Sequence, residues 1–133
     1  MSVLKKTAAV IVTFNRSGKL MAVLDALAAQ TMRPDIVLVV DNASTDDTAA
    51  LVQARADADP TIRHLRLPAN VGGAGGFHAG IKAAYQMGAQ YFWVSDDDAY
   101  PRPDALQSLH RALTGFQADN GWRPSFACSR VEW

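Results

Sequence analysis

The chain is poor in cysteine. A single cysteine among 133 residues, Cys128, excludes an internal disulfide and is too little for a cysteine-based zinc site. Glutamate is almost missing too. Glu132 stands alone against twelve aspartates, so the acidity lies on the shorter side chain favoured at caps, turns and compact metal sites. There is no excess of either charge, since 13 basic residues balance 13 acidic ones. A nucleic-acid or anionic-membrane partner therefore has no electrostatic footprint. No apolar run approaches the roughly 18 residues needed to cross a bilayer. The opening Met-Ser-Val-Leu-Lys-Lys lacks the apolar core of a signal peptide. These absences lead to the expectation of a soluble, cytoplasmic domain with no transmembrane segment. With 49% apolar residues, the chain has enough material for one buried core and is not of disordered composition.

Apolar, β-branched runs alternate with helical patterns. Ala8 to Phe14 reads as a strand buried on both faces. Leu20, Val23, Leu24 and Leu27 then recur at helical spacing up to about Gln30, with Asn15 or Ser17 as candidate N-cap. Ile36 to Val40 is the clearest strand. Ser44-Thr-Asp-Asp47 has capping-box character and predicts a second helix fading near Ala58. Ile62 to Leu67 alternates apolar and basic residues, as a half-exposed strand does. Pro68 to Gly76 is expected to break regular structure, with a third helix from about Phe77 to Met87 and Gly88 as its C-cap. Tyr91 to Ser95 is a fourth strand, and a last helix is expected from near Pro103 to just before Gly115. Residues 122–133, rich in aromatics, read as a strand seeking a partner. The alternation predicts an α/β fold, a doubly wound, mostly parallel sheet with flanking helices, occupying residues 1–133 as one domain. Ligands of such sheets sit beyond the carboxyl ends of the strands, which puts Asn15, Asp41-Asn42, Asn70 to Gly76 and Asp96 to Asp98 on one rim.

Asp96-Asp97-Asp98 is the first chemical feature. Three adjacent carboxylates repel one another unless a cation or solvent screens them. If the segment stays extended, Asp96 and Asp98 point one way and Asp97 the other. Two hard oxygen ligands, completed by water and phosphate oxygens, are the usual grip on Mn²⁺ or Mg²⁺ at a diphosphate. The plain alternative is a solvated acidic turn favouring the next helix N-terminus. Asp41, ending the most apolar strand, is expected to offer its carboxylate to a ring N–H or a ribose hydroxyl. Ser44 is better explained as a cap. Thr13, Phe14 and Asn15 are placed to line a base pocket, or only to support the turn.

Gly72, Gly73, Gly75 and Gly76 permit close ligand approach ahead of a helix N-terminus that can face an anion. The stretch lacks the Lys-Ser/Thr ending of a Walker loop. It also misses the dinucleotide fingerprint, because His78 stands where glycine or alanine is wanted and the loop follows the third strand rather than the first. His78 reads as an ordinary first-turn residue, His64 and His110 as surface positions, and Trp93 as core rather than a sugar platform. Cys128 has no base beside it in sequence.

Together, VTFNR (12–16), DNASTDDT (41–48), NVGGAGGFHAG (70–80) and WVSDDDAYP (93–101) closely resemble family 2 glycosyltransferases of the GT-A fold. The GGAGGF stretch joined to Trp-x-x-Asp-Asp-Asp is similar to bacterial galactofuranosyltransferases and their rhamnosyltransferase relatives. The likeness runs over roughly residues 7–115 in the same order. It implies a Rossmann-like nucleotide-binding half and inverting transfer from a nucleoside-diphosphate sugar to a glycan or lipid-linked glycan acceptor. The donor would be UDP- or dTDP-linked, UDP-galactofuranose among the candidates. By position, Thr13, Phe14 and Asp41 would meet base and ribose. Asn70, Gly73 and Gly76 would border the donor, and Asp96 and Asp98 would ligate Mn²⁺ or Mg²⁺ as a DxD motif.

Family members continue well past this length, so a C-terminally truncated domain is expected. Its general base and third metal ligand would lie beyond residue 133, its C-terminal surface would be exposed to self-association, and its place would be the cytoplasm or the inner face of the membrane. Asp104, Asp119 and Glu132 supply no convincing base. Two rivals remain. A nucleotidyltransferase would want a glycine-rich basic loop after the first strand, where VTFNRSG has one glycine. A non-catalytic interaction domain would keep the fold without metal-dependent nucleotide binding.

Overall fold

The computed structural model describes residues 5–132. Four strands and four long helices alternate in it. They are β1 (Thr7–Thr13), α1 (Ser17–Ala28), β2 (Ile36–Asp41), α2 (Thr48–Ala58), β3 (Ile62–Arg66), α3 (Gly72–Gln86), β4 (Tyr91–Asp96) and α4 (Ala105–Asn120). The strands form one parallel sheet in the order β3-β2-β1-β4. The expected doubly wound α/β architecture is therefore the observed one.

Side-chain alternation along the strands sorts the core into two layers. Ala9, Ile11, Val37 and Val39 face Leu20, Val23, Leu24 and Leu27 of α1 and Val52 of α2, with Trp93 packed beside them. Ala8, Val10, Ile36, Leu38 and Val40 face the opposite way, under Ala84 of α3. The chain thus winds from β1 outward to β3 over one face and returns to β4 over the other. The strand order reverses between β1 and β4, which makes their carboxyl-end tips the topological switch point where ligands of such sheets sit.

Close packing of α3 on β1 and β2 depends on two missing side chains. A Cβ on Gly80 would stand 2.5 Å from a Val10 methyl and 2.7 Å from one of Val40, and on Gly76 it would stand 2.6 Å from a Val12 methyl. These glycines set the helix-to-sheet distance.

Several local expectations are corrected. Residues 68–76 do not all escape regular structure, because α3 starts at Gly72 rather than near Phe77. Asn70 Oδ1 accepts from Gly72 N at 2.9 Å and starts the helix five residues early. The helix ends at Gln86, with Met87 at its C-cap and Gly88 beyond. His78 consequently lies in the second turn of the helix, not the first. The last helix runs through Gly115 to Asn120 and stops where Gly121 adopts φ +77°. Neither Asn15 nor Ser17 caps α1, since Arg16 holds that position without a side-chain bond. Ser44 is not the cap of α2, which begins four residues later, with Asp46 Oδ1 accepting from Thr48 N. Residues 122–132 form no strand, and Trp133 lies outside the described residues.

Candidate functional site

The rim at the carboxyl ends of the strands is built on register. Thr13, Asp41 and Arg66 are register partners across β1, β2 and β3, and Val12 pairs with Asp96 across β1 and β4. The loops above them are laced together. Asn15 N donates to Ser44 Oγ at 3.0 Å, and Asn15 Oδ1 accepts from Thr45 N at 2.7 Å and Asp46 N at 3.2 Å. Asn15 and Ala43 both adopt positive φ, at 49° and 62°. Such backbone costs on the order of 1–2 kcal/mol for a residue with a Cβ, and it persists where surrounding bonds over-determine it. Asn15 therefore braces the loop after β2, a role that sequence reading missed. Phe14 beside it is exposed and leaves an aromatic face on the rim.

The acidic tip is less symmetrical than an extended strand would make it. β4 ends at Asp96, and the next two residues turn. Asp97 is only 4% exposed and is held by Thr13 Oγ1, which donates to its Oδ2 at 2.8 Å. One guanidinium nitrogen, Arg16 Nη1, lies 3.3 Å from both Asp97 Oδ1 and Asp98 Oδ2. Lys19 Nζ adds a longer contact to Asp98, at 3.8 Å. Asp97 and Asp98 thus share a partner, which corrects the expected alternation. Asp96 is exposed, and its carboxylate has no hydrogen-bonding or ion-pairing partner among the described residues.

Among the described residues no group of three or more His, Cys, Asp or Glu side chains could hold a metal ion. Asp96 and Asp98 by themselves would suit only a cation that takes most of its ligands from water and phosphate. Mg²⁺ and Mn²⁺ with a diphosphate meet that description, whereas a closed structural site does not.

Asp41 departs furthest from expectation. Its side chain is wholly buried, and Oδ1 accepts from Ser44 N at 2.8 Å. Oδ2 faces His64 Nε2 at 3.3 Å and Arg66 Nη1 at 3.5 Å. A carboxylate so enclosed has no oxygen free for a ring N–H or ribose hydroxyl, because three protein groups already satisfy it. His64, expected at the surface, is its half-buried partner. Arg66 also donates to Ser44 O at 2.9 Å, so Asp41, His64 and Arg66 together fix the turn after β2.

The glycine stretch divides. Gly73 is exposed at the start of α3, with open space around it, while Gly76 faces Val12 and is closed to a ligand. Asn42, next to Asp41, ties this helix start to the sheet. Its Nδ2 donates to Gly72 O at 3.0 Å and its Oδ1 accepts from Val71 N at 3.1 Å. Its place directly after a buried strand was the available signal. His110 packs edge-on to Tyr91 at 5.0 Å, and burial lowers its pKa. It lies away from the rim, as does a depression lined by Leu24, Leu27, Val37 and Ile62.

A parallel sheet whose order reverses between β1 and β4, with exposed Asp96 and Asp98 and the N-terminus of α3 at the same rim, is a Rossmann-like α/β fold. Comparison narrows the class. The fold matches GT-A glycosyltransferase structures. TarS of S. aureus in complex with UDP superposes with a TM-score of 0.69 at 23% identity, over 87% of this chain and 33% of that one. The mannosyltransferase PcManGT from Pyrobaculum calidifontis, in complex with GDP-Man and Mn²⁺, gives 0.68 at 24%, over 81% and 32%. The family model Glycosyl transferase family 2 matches residues 8–126, and the chain belongs to that family. Galactofuranosyltransferase GlfT1 of Mycolicibacterium smegmatis is 36% identical over 100 residues, 75% of this chain and 32% of its own length. Its namesake in Mycobacterium tuberculosis is 40% identical over 94 residues, 69% and 30%. The chain therefore spans about a third of the curated relatives it matches. No helix among the described residues is long and apolar enough to cross a membrane.

Proposed function

We propose that this chain is the donor-binding part of a metal-dependent, inverting glycosyltransferase that takes a nucleoside-diphosphate sugar. The reading is supported by Asp96, Asp98, Phe14 and the α3 N-terminus all lying at the carboxyl-end rim, beside the point where the strand order reverses. Phe14 gives an apolar face for a base, and Thr13 beneath it keeps the acidic tip in register. Gly72 N is held by Asn70 Oδ1, so it is the first turn of α3 from Gly73 onward that favours negative charge nearby. Asp96 and Asp98 are the residues to hold Mn²⁺ or Mg²⁺, which when bound offsets the charge that gathers on a diphosphate leaving group. Asp41 acts from behind, by holding the turn after β2. The likeness to galactofuranosyltransferases favours a uridine-linked donor, UDP-galactofuranose first among them, and a glycan or lipid-linked glycan acceptor. A cytoplasmic site of action, at the inner membrane face for a lipid-linked acceptor, and self-association through the exposed Trp122, Phe126 and Val131 surface belong to the same reading.

Calorimetry with UDP and dTDP, with and without Mn²⁺, tests it. Binding is expected to depend on the metal, and Asp96→Ala or Asp98→Ala should each remove that dependence. Undiminished Mn²⁺ dependence in both variants would overturn the metal assignment. Tight adenine-nucleotide binding in place of uridine or thymidine would overturn the donor class.

A further inference from the structure

Arg16 and Lys19 lie three positions apart at the start of α1, so they project from one side of its first turn. Both side chains are more than half exposed, at 53% and 56%, and neither serves the core. Both are nevertheless directed at the acidic tip. Arg16 Nη1 bridges Asp97 and Asp98 at 3.3 Å each, and Lys19 reaches Asp98 at 3.8 Å. Their targets differ in a telling way. Asp97 is nearly closed to solvent and keeps Thr13 as a second partner, whereas Asp98 is 42% exposed and relies on the two cations alone. The same Asp98 oxygen, Oδ2, receives both.

An oxygen that ligates a divalent cation cannot also hold two ammonium-type charges at contact distance, since the cations repel one another. Asp97, by contrast, loses nothing if Arg16 remains on it. Building on the metal reading of Asp96 and Asp98, we propose that Arg16 and Lys19 are built-in counter-ions of the acidic tip. They hold Asp98 in place by pairing with its Oδ2 and oppose, by like-charge repulsion and competition for the same carboxylate, any cation that it ligates. Arg16 is then a positioning residue with two roles separable by partner, a permanent one on Asp97 and an exchangeable one on Asp98. The arrangement relieves repulsion among three consecutive carboxylates and raises the cation concentration needed to load the site.

The test uses Mn²⁺ alone as probe, its free fraction followed by electron paramagnetic resonance, with no nucleotide and no turnover. Breaking one exposed pair should tighten Mn²⁺ binding about two- to fivefold in Arg16→Gln, on the scale of such contacts, and by less in Lys19→Gln, where the contact is longer. Lys19→Gln touches nothing buried, so it keeps the experiment informative if the Arg16 variant loosens the fold. Arg33→Gln is the control for bulk charge, because Arg33 pairs with Asp59 and not with the acidic tip. Unchanged or weaker Mn²⁺ binding in Arg16→Gln and Lys19→Gln would overturn the proposal, as would an equal tightening in Arg33→Gln. Asp98→Asn separates the two levels. If it abolishes Mn²⁺ binding while the cation variants have no effect, the metal site stands and the counter-ion role falls. If it leaves Mn²⁺ binding intact, both fall.

Discussion

Replacing Thr13 by valine removes one oxygen from the junction between β1 and the acidic tip and leaves the shape almost unchanged. Thr13 is 2% exposed, and its hydroxyl donates at 2.8 Å to the buried Asp97 carboxylate. A hydrogen bond to a charged group is worth roughly 1.5–3 kcal/mol, and the remaining Arg16 contact to Asp97 is longer and comes from a half-exposed arm. The valine methyl recovers part of that loss by burial, so a net destabilisation of about 1.5–2 kcal/mol is expected. For a domain of this size that is about 5–8 °C in Tm. Asp97→Ala should cost a similar amount, by stranding the Thr13 hydroxyl and freeing Arg16. The double variant should be more stable than the sum of the two losses predicts, with a coupling of about 1 kcal/mol or more, because each single change leaves the other partner unsatisfied. Urea denaturation of the four proteins measures the cycle. Strict additivity, or a stable Thr13→Val, would refute the idea that this bond ties the base side of the rim to its acidic side.

Other outcomes follow from packing and burial. Gly80→Ala should destabilise by about 1–3 kcal/mol because α3 must lift from Val10 and Val40, whereas Gly115→Ala, with open space around it in α4, should stabilise by up to ~1 kcal/mol; thermal melts compare them. Asp41→Asn should lower stability by about 2–3 kcal/mol, since an amide cannot serve Ser44 N and Arg66 at once, and uridine nucleotide affinity should fall only as far as the turn after β2 loosens. Burial holds the His110 pKa below its ordinary value, so the unfolded chain binds the proton more readily. Its contribution is complete above about pH 6.5 and is lost as pH falls through the folded pKa. His110→Gln should flatten the decline in stability as the pH falls below about 6.5, as read by denaturation at fixed ionic strength.

The alternation of apolar runs and helical patterns was enough to give the element order, the parallel sheet and the rim on which polar residues gather. Residues such as Leu20, Val23, Leu24 and Leu27, or Ile36 to Val40, fold locally as their spacing dictates, because periodicity is a property of the chain. The motifs at 12–16, 41–48, 70–80 and 93–101 likewise carried the family. Three matters were settled only by packing. A glycine-rich stretch that looks like a loop becomes helix because α3 must lie close on Val10, Val12 and Val40, which no local propensity announces. Asp41 turns out to be an inward support, because His64 and Arg66 come from a strand more than twenty residues away in sequence. The three adjacent aspartates, alike in sequence, become one buried anchor, one carboxylate bound to two cations and one unpaired, because only the crossing of β1, α1 and β4 decides which neighbour each one meets.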